Sequence, residues 1–282
     1  MKKAKLTVLV EDSIRKTEKA RGLNSGHGLS ILVEASKPKV SILMDTGPSP
    51  SVLLRNMEIL GIDPESIDAV FLSHGHYDHT GGLLGILEKA KKGVPVIAHP
   101  EAFGSEFKVA PKLRYIGSPV EVSKIESSAS FVLARTPVTI AEGVMTTGEI
   151  DRVTPYESPR GFWTVRNERF AQSAMPDDQA LILNLEEKGL VIVTGCAHAG
   201  IVNTIKHSQK LTKTRKVHAI VGGFHMHDYP EERIKATINN LAEINPRLIY
   251  PCHCTGSRPT RRFIESFNQR CHPIQTGDTF EI

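Results

Sequence analysis

The 282-residue chain is 40% apolar and 23% charged, the balance of a globular protein with a sizeable core, and its 35 Lys and Arg against 31 Asp and Glu leave a net charge of only +4. That mild excess, with no basic run beyond 206–216 and Arg261-Arg262, argues against a nucleic-acid binder. Four scattered cysteines do not make a secreted disulfide framework, no apolar run approaches a membrane span, and Met1–Lys5 lacks the apolar core of a signal peptide, so a cytoplasmic protein without a membrane partner is expected.

Extended segments are expected at 6–10, 29–34 and 40–44, the last two joined as a hairpin across Ser36-Lys-Pro-Lys39. Helical spacing over 51–60 stops at Gly61, and an apolar strand over 68–73 then runs into Ser73-His-Gly-His-Tyr-Asp-His-Thr80. His74, His76, Asp78 and His79 fall within six positions there. His74 and His76 are two apart, so in extended backbone they point to one side and grip one cation; Asp78 and His79 lie past the turn and suit a second. Imidazole nitrogen mixed with carboxylate oxygen favours zinc and also admits iron or manganese.

A helix over 82–92, closed by Gly93, and a strand over 95–99 complete the first half. From 100 to 176 the pattern weakens into short extended runs and prolines, read as an elaborated insertion within a single domain over 1–282. Its Arg152, Arg160 and Arg166 are available to meet phosphates. Strands over 180–185 and 190–194 pair as a hairpin, followed by helix 199–212, strand 217–221, helix 230–243, strand 247–250 and helix 257–269. Two cations need more ligands than 74–79 provides, and His198 and His253, each just beyond a strand end and flanked by small or turn-forming residues, are expected to supply them. Cys196 is either a rival thiolate ligand to His198 or a small buried hydrophobe. Cys252 and Cys254 alternate with His253, which assigns both to the core; His227 is read as structural rather than as a site residue, and His27 is placed at a site mouth.

The run at 74–79 matches His-x-His-x-Asp-His, the signature of the metallo-β-lactamase fold hydrolases, and the chain resembles that family over most of its length. The passages Gly28-Leu-Ser-Ile-Leu-Val33, Thr194-Gly-Cys-Ala-His-Ala-Gly200, Gly222-Gly-Phe-His225 and Cys252-His-Cys-Thr-Gly256 are similar to one branch of it, the 7,8-dihydropterin-6-yl-methyl-4-(β-D-ribofuranosyl)aminobenzene 5'-phosphate synthases. The resemblance implies a four-layer αβ/βα sandwich of two mixed sheets with outer helices. It makes Asp45 a carboxylate that orients an imidazole ligand, puts Cys196 where the fourth motif commonly has Asp and sometimes Cys, and leaves Asp178, a turn cap or a ligand, near a third motif whose histidine is missing. It also puts His225 in the site, to bind substrate or donate a proton.

The expected activity is hydrolysis of an ester or phosphoester-type small molecule, with two zinc ions activating water, Asp78 accepting its proton and His225 protonating the leaving group. The branch implies a different reaction, transfer of a dihydropterin from its diphosphate to an aminobenzene ribosyl phosphate, so the partner is a phosphorylated or pterin-like small molecule. An iron-binding redox protein is the third reading that the family allows.

Overall fold

In the strand Ala180–Leu185, Leu181, Leu183 and Leu185 point to one side while Ala180 and Ile182 point to the other, and all five are buried. A strand that is apolar on both faces must be covered on both. The computed structural model, which describes residues 1–282, covers it with a second sheet on one face and helices on the other.

The first sheet has seven strands in the spatial order Thr279–Glu281, Ala4–Val10, Ser30–Ser36, Lys39–Met44, Ala69–Phe71, Pro95–Ala98 and Ser130–Leu133. The second has six, in the order Leu248–Cys252, Val217–Gly223, Gly189–Thr194, Ala180–Leu185, Val144–Thr146 and Thr139–Ala141. Both are mixed, with antiparallel hairpins and parallel crossovers in each. Their inner faces share one core that includes Leu6, Val8, Ile31, Val33, Val191 and Val193. Helices Pro50–Leu60 and Leu83–Leu87 cover the first sheet through Leu53, Met57, Leu83 and Ile86. Helices Ile201–Thr212, Glu231–Ile244 and Ser257–Phe267 cover the second through Ile205, Ile234, Leu241 and Phe263. Helix, sheet, sheet, helix is the αβ/βα sandwich expected from the sequence.

Local differences have local causes. The helix expected over 82–92 ends at Leu87, because Glu88-Lys-Ala-Lys-Lys92 offers only Ala90 to the core. Within 100–176, Ser130–Leu133, Thr139–Ala141 and Val144–Thr146 extend the two large sheets. Four other strands there form a small antiparallel third sheet in the order Arg169–Gln172, Phe162–Arg166, Glu106–Lys108 and Arg114–Tyr115.

The topology also decides where chemistry can gather. Asp45 follows Lys39–Met44, His74 follows Ala69–Phe71, His198 follows Gly189–Thr194, His225 follows Val217–Gly223 and His253 follows Leu248–Cys252. These strands run parallel to their neighbours, so their carboxyl ends share one edge of each sheet, the edge where α/β sheets place ligands. No helix is long and apolar enough to cross a membrane.

Candidate metal centre

Two groups of side chains meet at that edge. His74, His76 and His198 bring one ligand atom each within 4.8 Å of one another, and Asp78, His79 and His253 do the same. All six residues are buried. The loops that carry them touch at Gly195, where an added Cβ would stand 2.0 Å from Ser73 Oγ, so only glycine lets the two halves of the chain close on each other here.

Hydrogen bonds fix which ring nitrogens carry protons. Fully buried Asp45 accepts from Ser73 N on Oδ1, and from Ser73 Oγ and His79 Nδ1 on Oδ2, each at 2.7 Å. With its Nδ1 proton committed to that carboxylate, His79 presents Nε2 as a bare lone pair. His253 Nδ1 donates to Asp12 Oδ1 at 2.5 Å, which points Nε2 into the site in the same way. The two Nε2 atoms face each other at 3.3 Å, and Asp78 Oδ2 lies 3.8 and 3.5 Å from them. Acceptors at this spacing repel unless a cation lies among them, and about 3.3 Å is the nitrogen–nitrogen edge of a zinc tetrahedron. Burial pushes the His253 pKa down, but Cys254 and the carboxylates of Asp12 and Asp78 carry it well above the ordinary histidine value, so the site attracts positive charge, proton or metal.

In the first group, His74 Nδ1 lies 2.9 Å from Ser73 Oγ, whose own proton goes to Asp45, so Nδ1 donates and Nε2 is bare. That Nε2 faces His76 Nδ1 at 3.0 Å. His76 Nε2 and both ring nitrogens of His198 are buried without a partner, a costly state for polar atoms. Burial holds His74 and His198 well below the ordinary imidazole value and His76 at about 3, which keeps all three neutral, the form that ligates metal. Both donor sets fit a divalent cation.

The sequence profile of the metallo-β-lactamase superfamily matches residues 23–168. The chain belongs to this superfamily. A curated relative, the 7,8-dihydropterin-6-methyl-4-(β-D-ribofuranosyl)-aminobenzene-5'-phosphate synthase of Methanocaldococcus jannaschii, is 37% identical over 262 residues, 90% of this chain and 89% of the relative. A solved structure described as a metal-dependent hydrolase of the β-lactamase superfamily is 28% identical, covers 99% of both chains and superposes with a TM-score of 0.83. A diphosphatase of the PhnP family, 11% identical over 99% of this chain and 97% of its own, shares the fold with a TM-score of 0.53. Membership of this superfamily implies metal binding, in keeping with the two clusters.

Cys196 of this metallo-β-lactamase superfamily chain lies beside the second group and touches the first. Its Sγ lies 3.2 Å from His79 Nε2, and it groups with His74 and His79 on one side and with His225 and Cys254 on the other. His198 and Cys196 are therefore not exclusive alternatives; both reach the centre. Burial raises the Cys196 thiol well above its ordinary value. Asp178 belongs to neither group. Its Oδ2 accepts from Ala199 N at 2.8 Å while Asp177 Oδ2 accepts from Gly75 N at 2.8 Å, so the pair braces both ligand loops from behind. Burial raises both carboxyls, Asp178 to about 7.

The structure corrects the core placement expected for Cys254 and the structural role expected for His227. Cys252 does face the inner core, but Cys254 and His227 line the pocket with His225. His225 and His253 both adopt left-handed backbone, at φ 43° and 49°, and His253 opens a tight turn, so the two-residue period of a strand no longer applies. Asp45, Met175 and Ala197 are left-handed as well, a strained state for a residue with a side chain. No sequence signal announces it.

The pocket over the metal groups encloses about 420 Å³, with His27, Tyr77, Lys108, Arg114 and Phe162 on its walls. The arginines offered for phosphate binding are occupied elsewhere or absent: Arg152 donates to the carbonyls of Ala174 and Met175, Arg166 pairs with Glu101, and Arg160 is not on the pocket wall. Sequence reasoning missed Asp12, Lys108, Arg114 and Phe162. Asp12 reaches His253 across 241 residues, and the other three depend on strand register in the third sheet.

Proposed function

We propose that the protein is a two-zinc synthase that joins the methyl carbon of a dihydropterin to the nitrogen of an aminobenzene ribosyl phosphate. The likeness to the M. jannaschii synthase, 37% identity over 90% of this chain and 89% of the relative, carries this reading and favours transfer over the hydrolysis that the signature alone suggested. In the reaction the amine nitrogen bonds to the pterin-6-methylene carbon, the carbon–oxygen bond to diphosphate breaks, and the amine gives up one proton.

His74, His76 and His198 would hold one zinc, and Asp78, His79 and His253 the other, with Cys196 favouring zinc over harder cations. Bound there, the ions supply positive charge for the departing diphosphate oxygen. Asp78 is ionised and faces the pocket, which places it to take the amine proton. His27 Nε2, 3.6 Å from Asp78 Oδ2 and largely exposed, gives that proton a way out. His225 Nδ1 is buried without a partner at the pocket wall and is assigned as donor to the leaving group.

The test mixes zinc-loaded protein with a dihydropterin diphosphate and the aminobenzene ribosyl phosphate, and follows condensed product and diphosphate together. The two should appear one to one, and zinc content should be two per chain, falling in His76→Ala and His253→Ala. Diphosphate released without the amine would replace this reading with hydrolysis, which the 28% identical metal-dependent hydrolase supports. Release of neither product would sink both.

A further inference from the structure

Arg114 stands directly across from Lys108 in the third sheet, and Phe162 stands across from Lys108 on its other side. Residues paired across strands share a face, so the three form one row, and all three line the pocket. The Lys108 ammonium is 4.7 Å from the centre of the Phe162 ring, and that ring packs against His76 and His198 at 5.3 and 4.8 Å. The row therefore ends one aromatic ring away from the first metal group.

Two like charges directly opposed on neighbouring strands destabilise a sheet. Neither Lys108 nor Arg114 has a carboxylate within 4.0 Å to offset this. Nearby cations are treated differently: Arg135 is neutralised by Glu101 and Glu149, and Arg166 by Glu101. An uncompensated pair that faces a pocket is stabilised by an anion lying between its members. Guanidinium and ammonium together suit a phosphate, one as a fork and the other as a point charge.

We propose that Lys108 and Arg114 form a phosphate subsite, which holds the phosphate monoester or diphosphate of a small substrate while its reacting carbon or nitrogen lies over the histidine groups. The subsite rests on the synthase reading only for which molecule carries the phosphate. The dihydropterin diphosphate and the aminobenzene ribosyl phosphate are the two sources, and they can be told apart by fragments.

Calorimetric titration of the zinc-loaded full chain with inorganic diphosphate, and separately with ribose 5-phosphate, tests this. One of the two should bind, with affinity reduced roughly tenfold by Lys108→Gln and again by Arg114→Gln. Arg169→Gln, on the outer strand of the same sheet, should leave it unchanged. Dependence of diphosphate binding on the row assigns it to the leaving group; dependence of ribose 5-phosphate binding assigns it to the acceptor. Wild-type affinity in both variants, or no binding of either anion by the wild type, overturns the subsite. Should Lys108→Gln fail to fold, acetylation of Lys108 in the wild type, read by mass spectrometry, replaces it: slowing by the anion supports the subsite and an unchanged rate refutes it. The two readings fail separately. Normal binding in the variants of a competent synthase removes only the subsite, and row-dependent binding without condensation removes only the synthase.

Discussion

Asp45 gathers three donors at 2.7 Å, and through His79 and Ser73 it sets the ring orientation of one residue from each metal group. Asp45→Ala leaves every ligand side chain in place while removing that anchor. Metal affinity should fall by about 10–100-fold, measured by competition with a chelator; an unchanged affinity would show that packing alone orients the rings. The cluster at 74–79 is legible in sequence because short spacing fixes the relation of its side chains to each other. Asp45 is legible only through its likeness to a family, and Asp12 not at all, since nothing local links it to His253.

Among the elements, the third sheet is the part that sequence reading could not assemble. Its strands are two to five residues long, too short for a period to establish itself, and the row that faces the pocket exists only once register is known. Glu106 helps to fasten this sheet, with Oε1 2.6 Å from Ser173 Oγ and Oε2 buried without a partner. Burial raises its pKa from 4.5 to about 7. A raised value means the folded chain binds the proton more tightly than the unfolded one, so this stabilisation is complete below about pH 4.5 and is lost as pH rises through about 7. Across that window the melting temperature should fall relative to that of Glu106→Gln, while neutral His74, His76 and His198 add the opposite slope to both proteins. Asp178 acts with the same sign over the same range, so some slope should persist; equal slopes in the two proteins would exclude Glu106.

For the molecule as a whole, each candidate metal group draws side chains from both sheets: His74 and His76 follow the first and His198 the second, while Asp78 and His79 face His253. A cation in either group thus ties the two halves together and binds only the folded state. At a thousandfold excess over its dissociation constant one such ion adds about 4 kcal/mol of stability. Exhaustive chelation should lower the melting temperature markedly, with recovery on adding zinc, whereas a curve indifferent to chelator would deny the cross-link. The sandwich was expected through the family likeness, and the strands and helices that alternate at both ends of the chain were legible by their periods and compatible with it. The middle was not, because its strands join sheets far away in sequence.

The five left-handed residues around the centre, Asp45, Met175, Ala197, His225 and His253, carry a consequence for how this chain can change. Each is held in a backbone state that costs about 1–3 kcal/mol and that glycine would adopt freely. All five side chains are committed to hydrogen bonds, the pocket or the core, so heat tolerance and competence pull in opposite directions there. Ala197 gives up least, since only a methyl group packs in the core from that position. Sequences drifting toward greater stability have an opening there, beside the site, while the neighbouring strained positions stay closed to them for as long as the centre is in use.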